Sequence, residues 1–142
     1  MLRRNLFANL LAGLGVFAAT RTASAASTRQ RAVYHLSEAA RVGFVLGNIR
    51  NHYEGTKGEA DIVLVVHGPA LEAFRRAKSS AAVSSRFGGL VKSGLSPVAC
   101  GNTLHSMDAS VGDLLDGFSV VEQGGVVRIA ELQAQGYAYL RP

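Results

Sequence analysis

Apolar residues recur along the chain with the two spacings of a mixed α/β fold. Five short runs that are mostly apolar or aromatic are predicted to be strands. They are RAVYHL (31–36), DIVLVVHG (61–68), SPVAC (96–100), FSVVEQ (118–123) and YAYLRP (137–142). The second run is almost continuously apolar and β-branched, which is typical of a strand that is covered on both faces of a parallel sheet.

Helical spacing marks the segments between these strands. The helix predicted between the first two strands has one apolar face, formed by Val42, Val45, Leu46, Ile49 and Tyr53. Ser37 is the predicted N-cap of this helix. Pro69 fits the first turn of a second helix, and a further helical piece is predicted over about 83–93.

The last third of the chain continues the alternation. Residues 105–117 are predicted to form a short helix and a turn, with Leu114 and Leu115 facing inward. A last helix, with Gly136 as its C-cap, is predicted from the spacing of Val126, Ile129 and Ala130. Because strands and helices alternate, the sequence predicts one α/β domain with a mainly parallel sheet of about five strands.

The first 25 residues have the layout of a secretory signal peptide. Arg3 and Arg4 precede an apolar run over 5–20, and Ala23-Ser24-Ala25 supplies an A-x-A cleavage pattern. A membrane anchor is the alternative, but the run is short for a membrane span. The paired arginines resemble a twin-arginine export signal, and a Sec-type signal stays open. We therefore predict a signal over 1–25, a short leader over 26–30 and a periplasmic or otherwise exported domain over 31–142, without stable membrane insertion after cleavage.

Removal of the signal changes the charge of the protein. The whole chain has 15 Lys and Arg against 10 Asp and Glu, a formal charge of +5. Arg3, Arg4 and Arg21 leave with the signal, so 12 basic residues remain against the same 10 acidic ones and the charge falls to +2. The remaining basic residues are mostly scattered, so we predict no nucleic-acid binding.

Cys100 is the single cysteine of the chain and stands at the end of the third predicted strand. It has no partner for an internal disulfide, and an unpaired cysteine in an exported chain suggests a reactive thiol or an intermolecular bridge. Gly101 allows a sharp turn beside the sulfur, and Asn102 and Thr103 can donate hydrogen bonds to a thiolate. The alternative is a buried, inert thiol beside residues that only cap a turn. The local sequence leaves both interpretations open.

His67 follows the second predicted strand, so it reaches the same edge of a parallel sheet as Cys100. It can tune the thiolate or assist proton transfer near neutral pH. The alternative is a histidine whose ring is satisfied by the backbone at a strand end.

Several other kinds of site are disfavoured by the residues present. A thioredoxin-type C-x-x-C would need a cysteine where Thr103 stands, and a phosphatase loop would need an arginine at Ser106. His105, with Cys100 and His67, matches no compact metal-ligand spacing, so no metal site is predicted. His35 and His52 are predicted to be a strand residue and a solvated helix-end residue.

Three segments together are similar to a known family. In chain order they are DIVLVVHGPALEAF, SPVACGNTLHSMD and GGVVRIAELQAQGYAYLRP. They resemble the DsrE/DsrF-like sulfur-relay family, in particular its small, stand-alone, often exported members. The resemblance covers 31–142 and is most specific in ACGNTL and ELQAQGYAYLRP. It implies a three-layer α/β/α domain with flavodoxin-like layering that forms homo-oligomers.

The resemblance also implies a function. In sulfur-relay relatives the matching cysteine accepts sulfane sulfur as a persulfide and passes it to a partner thiol. This role carries over to Cys100, while Gly101, Asn102 and Thr103 would shape the pocket and His67 would tune protonation. The expectation is a sulfurtransferase-like carrier without a cofactor, working with a thiol-bearing donor or acceptor protein on reduced sulfur compounds. The alternative is a non-catalytic module that binds a small ligand or metal, or serves assembly.

Overall fold

A computed structural model describes residues 29–142, and the predicted signal therefore lies outside the described residues. The strands are β1 (Gln30–Leu36), β2 (Ala60–Val66), β3 (Ser96–Cys100), β4 (Ser119–Val121) and β5 (Ala138–Leu140). The α-helices are α1 (Val42–Gly55), α2 (Ala81–Lys92), α3 (Gly101–Ser106) and α4 (Gly125–Ala134). Short 3₁₀ helices cover Ala39–Arg41, Gly68–Phe74 and Val111–Asp113.

All five strands are parallel and lie in the order β4-β3-β2-β1-β5. The chain steps from β1 to β4 in one direction and then returns to the far side of β1. Because crossovers between parallel strands are right-handed, this reversal places α4 on the opposite face of the sheet from α1 and α2. The structure confirms the predicted α/β class, the five strands and the flanking helices.

The two faces of the sheet have cores of different size. The larger core lies under α1 and α2 and includes an aromatic cluster of Phe74, Phe87 and Phe118, with ring centroids 5.0 to 5.4 Å apart. The smaller core joins Ile129 and Leu132 of α4 to four valines of the central strands. Since successive strand residues alternate between faces, Val98 and Cys100 share the face that α4 covers.

Several local predictions need correction. Ser37 does not cap α1, because a 3₁₀ turn precedes the helix, and the Ser37 hydroxyl instead accepts a hydrogen bond from Arg141. Pro69 does open a helical segment, but that segment is a 3₁₀ helix and not an α-helix. Residues 105–117 contain the predicted short helix and turn, as the 3₁₀ helix Val111–Asp113, but a further helix, α3, starts directly after Cys100.

The predicted inward faces of the last third are only partly right. Leu114 is fully buried, whereas Leu115 is half-buried. In α4 the buried residues are Gly125, Ile129 and Leu132, while Val126 is 66% exposed. The first turn of α4 therefore faces the sheet with Gly125 and faces outward with Val126. Within residues 29–142, none of the helices has the length and apolarity needed to cross a bilayer.

Candidate functional site at the ends of β2 and β3

Cys100 is the last residue of β3, and the chain passes from it directly into α3. Gly101 is needed here for space. A Cβ at this position would lie 2.8 Å from the Glu122 carboxylate and 3.1 Å from the Val121 carbonyl oxygen. The end of β4 therefore passes so close to the first turn of α3 that a larger residue would have to displace it. Gly101 shapes the turn but does not line the cavity described next.

A cavity of about 280 Å³ opens at this edge of the sheet. His67 and Cys100 line it from two strand ends, Asn102 and Thr103 line it from α3, and residues 123–127 line it from the start of α4. The structure thus brings together four of the five residues that the sequence singled out. It also places Cys100, which is only 6% exposed, in the lining of an open space.

The environment of Cys100 favours the thiolate. Burial of the sulfur acts to raise the pKa of the thiol, but hydrogen bonding outweighs it and the net pKa is lowered. The groups responsible are the backbone N–H groups of Gly125, Thr103 and Asn102 and the Thr103 hydroxyl, all beside the sulfur. They come from the first turns of α3 and α4, where backbone N–H groups have no partner within the helix. A larger fraction of Cys100 is therefore nucleophilic at neutral pH than for an ordinary thiol.

The Thr103 hydroxyl connects two strand ends. Its Oγ1 accepts a hydrogen bond from the backbone N–H of Gly68, at 3.0 Å. Since the hydroxyl oxygen already accepts from Gly68, its own proton is available to the Cys100 sulfur. Thr103 thereby holds the turn after β2 and supports the thiolate with one group.

Gly124 and Gly125 are site residues that the sequence analysis missed. Gly124 has a φ of +106°, and a Cβ on it would lie 2.9 Å from the Asn102 side-chain nitrogen. A Cβ on Gly125 would lie 3.2 Å from Val65 and 3.4 Å from the Cys100 Cβ. These glycines let the first turn of α4 approach the sulfur closely. The signal was present as a Gly-Gly pair directly before a helical pattern.

His67 has a different partner from the one expected in either interpretation. Its Nε2 lies 2.5 Å from the Nε2 of His35, the strand residue predicted in β1. Burial lowers the pKa of His67, and nearby Arg141 lowers it further. The groups that lower the pKa of Cys100 are amides and a hydroxyl rather than His67. The tuning of the Cys100 thiolate by His67 therefore stays a prediction.

The other two histidines lie away from this cavity. His105 is exposed, with its Nε2 3.8 Å from a Glu122 carboxylate oxygen. His52 is half-buried and hydrogen-bonded to the Tyr34 hydroxyl and the Gln30 side chain, so the predicted solvated position is wrong. Among the described residues, no group of three His, Cys, Asp or Glu is arranged to hold a metal ion. A larger cavity of about 510 Å³ lies between α1 and α2, but its lining contains neither cysteine nor histidine.

Comparisons with known proteins agree with the fold. The model of the DsrE/DsrF-like family matches residues 14–142. MTH1491 from Methanobacterium thermoautotrophicum, described as a protein of unknown function, is 31% identical with a TM-score of 0.72, over 80% of this chain and 99% of its own. The YchN protein from E. coli is 12% identical with a TM-score of 0.60, over 80% of this chain and 100% of its own, which supports the fold alone. No curated protein matches the sequence. Since the family match spans most of the chain and the fold agrees with it, the chain belongs to the DsrE/DsrF-like family.

Proposed function

We propose that this protein carries sulfane sulfur as a persulfide on Cys100. One observation carries the proposal: a thiol with a lowered pKa lies in the lining of a cavity that is large enough for the end of a thiol substrate. Membership of a family associated with sulfur relay supports the same chemistry.

The carrier cycle needs only two exchange steps. In loading, the Cys100 thiolate attacks the outer sulfur of a donor persulfide R–S–SH. The donor S–S bond breaks, Cys100 becomes a persulfide, and R–S⁻ leaves. In unloading, an acceptor thiol loses its proton and attacks the outer sulfur of the Cys100 persulfide. The acceptor becomes the persulfide, and the Cys100 thiolate is restored without an oxidant, a metal or a cofactor.

The cavity lining favours a thiol-based donor and acceptor. The residues described around it include no Asp, Glu, Lys or Arg. A persulfide on a protein or small thiol can be bound by amides and apolar contacts, whereas a dianion such as thiosulfate would be desolvated without a counter-charge. We therefore infer that the physiological partner is a thiol-bearing protein or peptide.

The mouth of the cavity supports a partner surface. Val126 is 66% exposed and Val127 is 43% exposed, and both line the cavity. Exposed apolar residues beside a functional group are typical of an interaction site. We propose that the partner protein or a second copy of this chain covers them, and that the encounter takes place outside the cytoplasm, as the sequence of residues 1–25 suggests.

Intact-mass measurement of the mature chain tests the carrier function. After exposure to glutathione persulfide, the wild-type protein is expected to gain one sulfur atom, which a reductant then removes. Cys100→Ser should gain none. If the wild-type thiol stays unmodified when folded, yet alkylates after unfolding, the carrier function is rejected. Reversible binding of the donor without a covalent adduct would instead favour a non-catalytic binding module.

A further inference from the structure

Three hydrogen-bonded side chains form a row across the face of the sheet that α4 covers. Tyr139 lies in β5, His35 in β1 and His67 at the end of β2, on three neighbouring strands. The Tyr139 hydroxyl oxygen is 2.7 Å from Nδ1 of His35. The Nε2 of His35 is 2.5 Å from the Nε2 of His67. The row leads from exposed Tyr139 to His67, which lines the Cys100 cavity.

The two imidazoles meet edge to edge. Their planes are 17° apart and their centroids are 4.7 Å apart, while the Nε2 atoms are 2.5 Å apart. Nearly parallel rings can combine these two distances only if the nitrogens point at each other roughly in the plane of the rings. One proton fits between the two nitrogens as an N–H···N hydrogen bond, whereas two protons would oppose each other. This geometry therefore has room for a single proton between the two rings.

Burial, and after it the charge of Arg141, favours the neutral form of the pair. The pKa of His35 is lowered by burial first, and then by His67 and Arg141. The pKa of His67 is lowered by burial and then by Arg141. Arg141 is itself paired with Glu38 at 3.2 Å, Tyr139 bonds His35, and Cys100 lies across the cavity from the pair. Near neutral pH both rings can therefore accept a proton.

Two hydrogen-bond arrangements satisfy this geometry. In the first, His67 donates from Nε2 to His35, and His35 donates from Nδ1 to the Tyr139 oxygen, so Nδ1 of His67 carries no proton. In the second, Tyr139 donates to Nδ1 of His35, and His35 donates from Nε2 to His67, so Nδ1 of His67 is protonated. The first arrangement becomes the second when His67 takes up a proton at Nδ1. The proton on Nε2 of His67 then moves to Nε2 of His35, and the proton on Nδ1 of His35 moves to the Tyr139 oxygen. Tyr139 releases its original proton to water. One proton enters and one leaves, with no net charge on the relay.

We propose that Tyr139, His35 and His67 form a proton relay between the Cys100 cavity and solvent. This inference rests on the proposed carrier function. During unloading, His67 takes the proton of the acceptor thiol as that thiol attacks the Cys100 persulfide. During loading, the reverse shift returns a proton to the departing R–S⁻. His35 and Tyr139 are positioning residues, because they act on the thiol through His67.

Single-turnover unloading of persulfidated protein to glutathione, measured across pH, tests the relay. The variants are Tyr139→Phe and His35→Gln, and the matched control is Tyr34→Phe. Tyr34 also bonds a histidine, His52, but from the opposite face of β1 and away from the cavity. A general base contributes about 10²–10⁴-fold, so losing its orienting partners is expected to slow unloading about tenfold near neutral pH. The glutathione concentration that gives the half-maximal unloading rate should be unchanged.

The pH dependence separates a relay from a structural role. At high pH the acceptor is already a thiolate, so both relay variants should approach the wild-type rate, while Tyr34→Phe follows the wild type throughout. If both relay variants load Cys100 and match the wild-type unloading rate at all pH values, the relay is rejected and the carrier function stands. If the wild type does not load, the carrier function fails first and the relay fails with it. Imidazole nitrogen NMR of the unloaded protein is expected to show His35 and His67 titrating as a coupled pair, and independent titration also rejects the relay.

Discussion

Replacing Thr103 with valine removes one hydroxyl from the site and keeps the shape of the side chain. The hydroxyl accepts from the Gly68 N–H at 3.0 Å and stabilises the Cys100 thiolate. Valine is β-branched like threonine, so α3 should keep its backbone conformation. The substitution therefore removes the hydrogen bond to Gly68, which supports the fold, and one donor beside the sulfur, which supports the chemistry.

The two effects have different sizes. Thr103 is 9% exposed, so the Gly68 N–H loses its partner in a largely buried place, which costs about 1–3 kcal/mol of folding free energy. A hydrogen bond to a charged group contributes about 1.5–3 kcal/mol. The backbone amides of Gly125, Thr103 and Asn102 remain, so the loss for the thiolate should lie at the lower end. That corresponds to about tenfold less thiolate at a pH below its pKa.

Two measurements separate these effects. The midpoint of urea unfolding reports the stability, and the rate of Cys100 alkylation by iodoacetamide across pH reports the thiolate. Thr103→Val is expected to lower the unfolding midpoint and, at pH values below the pKa of Cys100, to cut the alkylation rate about tenfold. The alkylation rates of the wild type and of Thr103→Val should converge at high pH, where Cys100 is ionised in both proteins.

Thr56→Val is the matched control. The Thr56 hydroxyl donates to the His52 carbonyl at the end of α1 and has no contact with the cavity. This control should lose about 1 kcal/mol of stability and keep the wild-type alkylation profile. If Thr103→Val also keeps the wild-type profile, the hydroxyl does not support the thiolate and our account of the lowered pKa is wrong.

Three further predictions follow from other contacts. Gly125→Ala puts a methyl group 3.2 Å from Val65 and 3.4 Å from the Cys100 Cβ. It should therefore push α4 away from the sulfur and slow alkylation of Cys100. Gly47→Ala, with open space around its Cβ, should leave the alkylation rate unchanged. Phe87→Ala opens the aromatic cluster and should cost about 3–5 kcal/mol in urea unfolding; a loss below about 1 kcal/mol would contradict the packing. Because the folded-state pKa values of His35 and His67 are lowered from 6.5, the unfolded chain takes up protons first. The contribution of these histidines to stability should be constant above about pH 6.5 and fall as the pH drops below that value, and His35→Gln should weaken that fall.

The strands could be predicted because each is a short apolar run closed by a turn signal. The meeting of Cys100 and His67 could also be predicted, since the carboxyl ends of parallel strands lie at one edge of the sheet. The first inference needs no strand order, and the second needs only that β2 and β3 are neighbours. The helix details were less predictable, because a 3₁₀ turn separates Ser37 from α1 and the segment that Pro69 opens is a 3₁₀ helix.

The missed parts of the site depend on long-range geometry. Gly125 contacts Cys100 because α4 returns over the opposite face of the sheet, and that follows from the reversal of strand order at β5. His35 meets His67 because β1 pairs with β2 in a register that places His35 opposite Val65, two residues before His67. A single-residue slip would turn one histidine to the other face. Residue spacing along the chain predicts neither the approach of Gly125 to Cys100 nor the meeting of His35 and His67.

Passage of sulfur through Cys100 tests the central claim most directly. A donor persulfide with an isotopically labelled outer sulfur is incubated with the mature chain, the excess donor is removed, and a thiol acceptor is added. We predict one labelled sulfur on Cys100, followed by transfer of that label to the acceptor and return of the free thiol. A label that never reaches Cys100, or that reaches the acceptor equally well with Cys100→Ser, would contradict the account.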